Sequence, residues 1–175
     1  MWNPILGLIK EIRKCESVRA HLGGLSLCFV CIDTMAYLGM PANQAEQTRD
    51  DFIAWADSYL RGHPDQPYKY RGLDVYAARC AVLHAFGAES RLHRENQNIT
   101  MFGYSNGGLH LYNPGINPRL VIIGLASFIN DVVIAVEGFM EACKDDADLR
   151  GRVEQRLTSV LSNFALLRER SQKKL

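Results

Sequence analysis

Ile5, Leu8, Ile9 and Ile12 recur three and four residues apart behind Asn3-Pro4. A capping residue followed by proline suits a first helical turn, so the pattern predicts an amphipathic helix to about His21, which Gly23-Gly24 is expected to break or kink. Residues 25–38 are almost wholly apolar and carry one acid, Asp33. Their length favours a buried helix, although 27–32 alone fits a strand equally well. After a loop marked by Gly39, Pro41 and Asn43, Thr48 and Asp51 stand three apart as cap and acid. Phe52, Trp55, Ala56, Tyr59 and Leu60 then give the apolar face of a helix ended by Gly62.

Residues 63–72 hold two prolines and two tyrosines and read as a loop, and 73–86 as the next helix, stopped by Gly87. Beyond the polar stretch 89–98, the runs 99–104 and 109–112 flank Ser105-Asn106-Gly107-Gly108, a hairpin signal. Asn117-Pro118 repeats the opening cap pattern and predicts a long apolar helix through about Cys143. The last helix, 146–170, aligns Leu149, Val153, Leu157, Leu161, Phe164 and Leu167 on one face. No internal repeat or linker interrupts this order. The expected fold is all-α: an up-and-down bundle of five to six helices with a small β-hairpin insertion near residues 99–112, one domain over 1–175.

The 175 residues suffice for one core without disulfides or metal. Twenty basic against 19 acidic residues leave a net charge of +1, which argues against a broad polyanion-binding face but leaves room for a small basic cleft. Cys15, Cys28, Cys31, Cys80 and Cys143 are odd in number and mostly lie among apolar residues, as expected of reduced thiols in the cytoplasm. The first twelve residues lack the pattern of a secretory signal. Residues 120–136, the most apolar stretch, are interrupted by Asn130 and Asp131, and fall short of the roughly 18 uninterrupted apolar residues of a spanning helix. No membrane association is expected.

Candidate chemistry concentrates on one helix. With Val75 as zero and about 100° per residue, Arg79 falls near 40° among Tyr76, Val82, Leu83 and Phe86. Its guanidinium faces the bundle and needs an acid, a wet cavity or a polar interface, and Asp33 is the expected partner. His84 lies at about 180° with Ala77, Ala81 and Ala85, five residues and about 7.5 Å further along the axis. The long arginine stem and the helix end at Gly87 allow the two groups to converge. A structural ion pair and a histidine favoured by the helix dipole account for the same residues without function.

The stretch Leu73-Asp-Val-Tyr-Ala-Ala-Arg79-Cys80-Ala-Val-Leu-His84-Ala-Phe-Gly-Ala-Glu-Ser90 resembles the signature helix of the HEPN superfamily, which carries an R-x4-6-H motif on a late helix of a small bundle. The apolar helix containing Asp33 and the aromatic helix 52–60 resemble its companions. The likeness covers about residues 25–90. It implies a homodimer in which the motif helices meet, and a metal-independent endoribonuclease of toxin or defence systems, with Arg79 and His84 catalytic and no cofactor. It also implies an antitoxin or nucleotidyltransferase partner, and the alternative is a catalytically inactive module binding RNA, a nucleotide or a protein. Members often place a polar residue after the motif arginine; here it is Cys80, which with Asp33 falls to a structural role.

The residue types suit that chemistry. Imidazole can accept the ribose 2′-hydroxyl proton or protonate the 5′-oxygen, arginine can stabilise the phosphorane, and a symmetric dimer supplies two copies of each. The product would carry a 2′,3′-cyclic phosphate. Lys69, Tyr70, Arg71, Arg91 and Arg94 are the expected substrate-binding residues, with Tyr68, Tyr70 and Phe86 as stacking surfaces for bases. Cys28, Cys31, Cys80 and His84 form a competing four-ligand zinc set, against which stands simple core packing. His93 and His110 have no recognisable partners.

Overall fold

The computed structural model describes residues 2–160. Helix α1 (Asn3–Ser17) starts with proline in its first turn and buries Ile5 and Ile12. It ends four residues before the expected position, because Arg19 takes a left-handed φ of 58° and turns the chain into α2 (His21–Gly39). Gly23-Gly24 therefore breaks nothing. The pair lies inside α2, where a Cβ on Gly24 would touch Cys15 Cβ at 3.4 Å, so the missing side chain lets the two helices approach.

Helix α2 is the centre of the fold and packs against α1, α3 (Arg49–Tyr59), α4 (Gly72–Ala85), α6 (Leu125–Asp145) and α7 (Ala147–Leu157). It is the one described helix long and apolar enough to cross a membrane, with a mean hydropathy of 1.5 over its best window. Here Leu25, Cys28, Phe29, Ile32, Met35 and Leu38 lie in the protein core. The Thr48–Asp51 capping box starts α3 as the spacing predicts. Gly72 begins α4 against α3: a Cβ there would overlap the Ile53 carbonyl oxygen. The short α5 (Arg91–Glu95) forms within the polar stretch 89–98, to which the sequence assigns no element. Helix α7 occupies the start of the expected last helix, and Leu161, Phe164, Leu167 and Arg170 lie outside the described residues.

The all-α expectation fails. The described residues are 60% helical, with seven helices and a three-stranded mixed sheet among them, and do not form a purely helical bundle. Strands β1 (Met101–Ser105), β2 (Leu111–Tyr112) and β3 (Leu120–Gly124) lie in the order β1-β3-β2. The two runs expected to form a hairpin do not pair with each other. Strand β3 slots between them, parallel to β1 with Met101 opposite Leu120, and antiparallel to β2 with Leu111 opposite Ile122.

The cause is the segment Leu120-Val-Ile-Ile-Gly124, expected to be helical. Its β-branched residues suit a central strand, where both backbone edges find partners while Val121 and Ile123 enter the core. Asn117-Pro118 is accordingly a turn and no helix cap, with Asn117 Oδ1 accepting from the Arg119 N–H at 2.9 Å. Gly107 and Gly108 pass over the end of β3, where a Cβ on Gly124 would lie 2.7 Å from the Gly107 carbonyl oxygen. Gly124 closes β3 and caps α6.

Candidate functional site

Helices α2 and α4 bring Asp33 and Arg79 together. Arg79 Nε donates to Asp33 Oδ2 at 2.8 Å, and Nη2 lies at the same distance from that oxygen. The other edge of the guanidinium reaches His84, with Nη1 2.9 Å from Nε2. A guanidinium has no lone pair to offer, so it donates and His84 Nε2 accepts, which leaves the ring neutral with its proton on Nδ1. The Arg79 and Asp33 side chains remain 21% and 23% exposed, and His84 is exposed. The pair thus sits at the border of the core.

Loss of hydration pushes the Asp33 carboxyl up, and the hydrogen bond and charge of Arg79 only partly reverse it. For Arg79 loss of hydration acts downward, but the Asp33 hydrogen bond and charge outweigh it and the value rises. Arg79 is a firmly held cation, one edge on Asp33 and the other on His84. Ala77 and Ala81, expected to permit a close helix approach, are buried within the chain, while Ala85 is exposed.

Beside His84 opens a cleft of about 450 Å³, lined among others by Arg49, Cys80, His84, Glu89, Arg91 and Arg94. Three arginines from α3 and α5 thus face the last turn of α4. Arg91 is also held by Glu95 at 2.9 Å, and Arg49 by Asp50 at 3.2 Å. Arg49 escapes sequence reasoning because it lies 30 residues from Arg79, and its only local signal is a place in a capping turn.

Lys69, Tyr70 and Arg71 do not line this cleft. Lys69 Nζ donates to the carbonyls of His63 and Pro64 at 2.9 and 2.6 Å and clamps its own loop. Arg71 Nη2 donates to Asp74 Oδ1 at 3.1 Å and the Asn98 carbonyl at 2.7 Å. Tyr68 and Tyr70 are buried, their rings stacked edge-on at 6.0 Å, so neither offers a face to a base. Phe86 is the aromatic that remains exposed, at 68%.

The four zinc candidates are not assembled. Cys28 and Cys31 face the core, where burial pushes the Cys31 thiol up to about 12 and raises Cys28 as well. Cys80 and His84 lie towards the cleft, and among the described residues no group of three or more His, Cys, Asp or Glu is placed to hold a metal ion.

A polar relay that the sequence reading missed runs under the loop 60–71. The Gly124 N–H donates to His110 Nδ1 at 3.1 Å, so Nε2 carries the ring proton and donates to Tyr70 Oη at 2.6 Å. Tyr70 Oη in turn donates to Asp131 Oδ2 at 3.0 Å. Burial, and then the charge of Lys69, lower His110 from 6.5 to about 4. The folded protein therefore binds fewer protons here than the unfolded chain between those values. Its contribution is intact above about pH 6.5 and is lost as pH falls toward 4, on the order of 3 kcal/mol. Urea midpoints of His110→Gln are expected to fall less steeply than those of wild type between pH 7 and pH 4.5; equal slopes would exclude His110 as the origin.

The chain matches no family model, no curated protein and no solved structure, so the reading of this site rests on the chain's own residues and their geometry.

Proposed function

We propose that this protein is a metal-independent endoribonuclease of the HEPN type, a cytoplasmic homodimer with Arg79 and His84 at its reaction centre. The observation that supports it is one guanidinium shared between Asp33 and His84, part-exposed beside an arginine-lined cleft. Asp33 orients the fork. A phosphate that takes the Nη1 proton donor frees the His84 Nε2 lone pair, which accepts the 2′-hydroxyl proton as the 2′-oxygen attacks phosphorus. Arg79 stabilises the charge on the non-bridging oxygens. The P–O5′ bond breaks, and the departing oxygen takes a proton from the His84 ring of the second copy, which picks that proton up from solvent once its Nε2 is released from Arg79, leaving a 2′,3′-cyclic phosphate and a 5′-hydroxyl. One imidazole per chain is bonded to Arg79, which is why two copies complete the acid–base pair. A protein partner of the antitoxin or nucleotidyltransferase kind would hold this activity in check.

A second reading, a catalytically silent RNA-binding module, is favoured by Cys80 following Arg79 and by the engagement of the fork within one chain. The two separate when wild type, Arg79→Ala and His84→Ala are incubated with several RNAs in chelator. Cleavage by wild type alone, with cyclic phosphate ends, supports the nuclease. Cleavage surviving in both variants, or requiring a divalent cation, overturns the site. RNA binding without cleavage in all three points to the module.

A further inference from the structure

Helix α4 ends on an unusual residue. The Phe86 N–H bonds the Val82 carbonyl and the Gly87 N–H bonds the Ala81 carbonyl, both at 3.0 Å, a closing pattern whose left-handed position normally holds glycine. Here that position is Phe86, with φ 48° and ψ 38°, while glycine stands one residue later. An aromatic residue in this conformation is strained, and Phe86 as a whole is 68% exposed. Nothing within the described fold requires both costs at one residue.

The ring borders a pocket of about 280 Å³ whose lining includes Leu22, Leu25, Val82, Phe86, Phe102 and Tyr104. Leu22 is itself half exposed, and the Tyr104 hydroxyl, buried, has no hydrogen-bond partner. Phe86 directly follows the last residue of α4, two residues beyond His84. The arginine cleft opens at the same helix end, lined by His84 and Ala85. An apolar, aromatic-walled pocket and a cationic cleft thus lie at the same end of α4, with Phe86 and Gly87 lining the one and His84 and Ala85 the other. This is the division of a nucleotide: a flat apolar base with polar edges, and an anionic backbone.

We infer that Phe86 is a stacking platform for one unpaired base next to the scissile phosphate, which makes single-stranded RNA the substrate class. This rests on the reading of Arg79 and His84 as the cleavage centre. A base held in a duplex has both faces covered and its edge paired, so it cannot enter the pocket. The stack tolerates different bases, because every base offers a π-face.

The test uses the full chain carrying His84→Ala, with a short oligouridylate, a short oligoadenylate and the duplex they form. Phe86→Ala is expected to weaken binding of both single strands about tenfold or more. Phe86→Trp is expected to retain it, with RNA changing its fluorescence beyond the background of Trp2 and Trp55. Phe86→Gly, relieved of strain, is expected to raise Tm by about 2 °C while binding as poorly as the alanine variant, which separates lost stacking from lost folding. Undiminished binding by Phe86→Ala, or a duplex bound as well as its strands, overturns the inference. So does a shift from dimer to monomer in Phe86→Ala with RNA affinity unchanged, which would make a second copy the occupant of the pocket. Binding through Phe86 by a protein that, with His84 intact, never cleaves RNA would overturn the nuclease reading alone; cleavage indifferent to Phe86 would overturn the stacking alone.

Discussion

Replacing His84 by alanine is expected to slow RNA cleavage by about 10²–10⁴-fold, the usual contribution of a positioned general acid or base. The loss should fall on kcat more than on KM, because the ring exchanges a proton only as the 2′-oxygen attacks, and phosphate affinity remains with Arg79 and the cleft. Arg79→Ala is expected to lose about 10²–10³-fold, and Arg79→Lys to recover little of it. A lysine has no fork with which to hold Asp33 and a phosphate oxygen together. Asp33 touches no reacting atom in this scheme and is a positioning residue. Asp33→Asn keeps an acceptor for Nε but removes the charge that helps hold Arg79 in place, so a smaller fall in kcat is expected, with the cyclic phosphate product unchanged. Single-turnover rates with saturating RNA measure all four variants. A His84→Ala rate within threefold of wild type would remove the histidine from the chemistry.

The largest expected loss of stability belongs to Asp74, outside the site. Its carboxylate is fully buried and accepts from Tyr68 Oη at 2.7 Å, the Thr100 N–H at 3.0 Å and Arg71 Nη2 at 3.1 Å. These bonds join the loop 60–71, the first turn of α4 and the approach to β1. Asp74→Ala strands two buried donors, the tyrosine hydroxyl and the Thr100 amide, and frees the Arg71 head to solvent. At about 1–3 kcal/mol for each unsatisfied buried group, the expected destabilisation is roughly 3–5 kcal/mol. Asp74→Asn preserves an acceptor but turns an N–H towards one of the former donors, so about half that loss is expected. Urea denaturation at pH 7 measures both. A loss under about 1 kcal/mol for the alanine variant would show that water replaces the carboxylate.

The parts of the fold legible in the sequence are those specified within a few residues. The Thr48–Asp51 box starts α3 because a cap and its acid lie three apart in any helix. The periodicity of residues 73–86 marks α4, and the cost of an unpaired arginine on its apolar face points to Asp33, which the structure places against Arg79. Residues 120–124 were not legible. A short β-branched run suits a buried helix or a central strand equally, and the choice depends on whether two other strands flank it. Tyr68 and Tyr70 posed a similar ambiguity: an aromatic ring with a hydroxyl fits an RNA surface or a core, and only the buried acceptors Asp74 and Asp131 decide for the core.

The amino-acid order by itself determined most of the helices, the N-terminal cap of α3 and the pairing of one apolar-face arginine with the single acid of α2, because each follows from local geometry or from the cost of an unpaired buried charge. Only the tertiary structure decided the three-stranded sheet, the convergence of Arg49 with Arg91 and Arg94, and the withdrawal of Lys69, Tyr70 and Arg71 from the cleft. Those depend on contacts between segments tens of residues apart, where the same side chain finds a partner or finds solvent according to what folds against it.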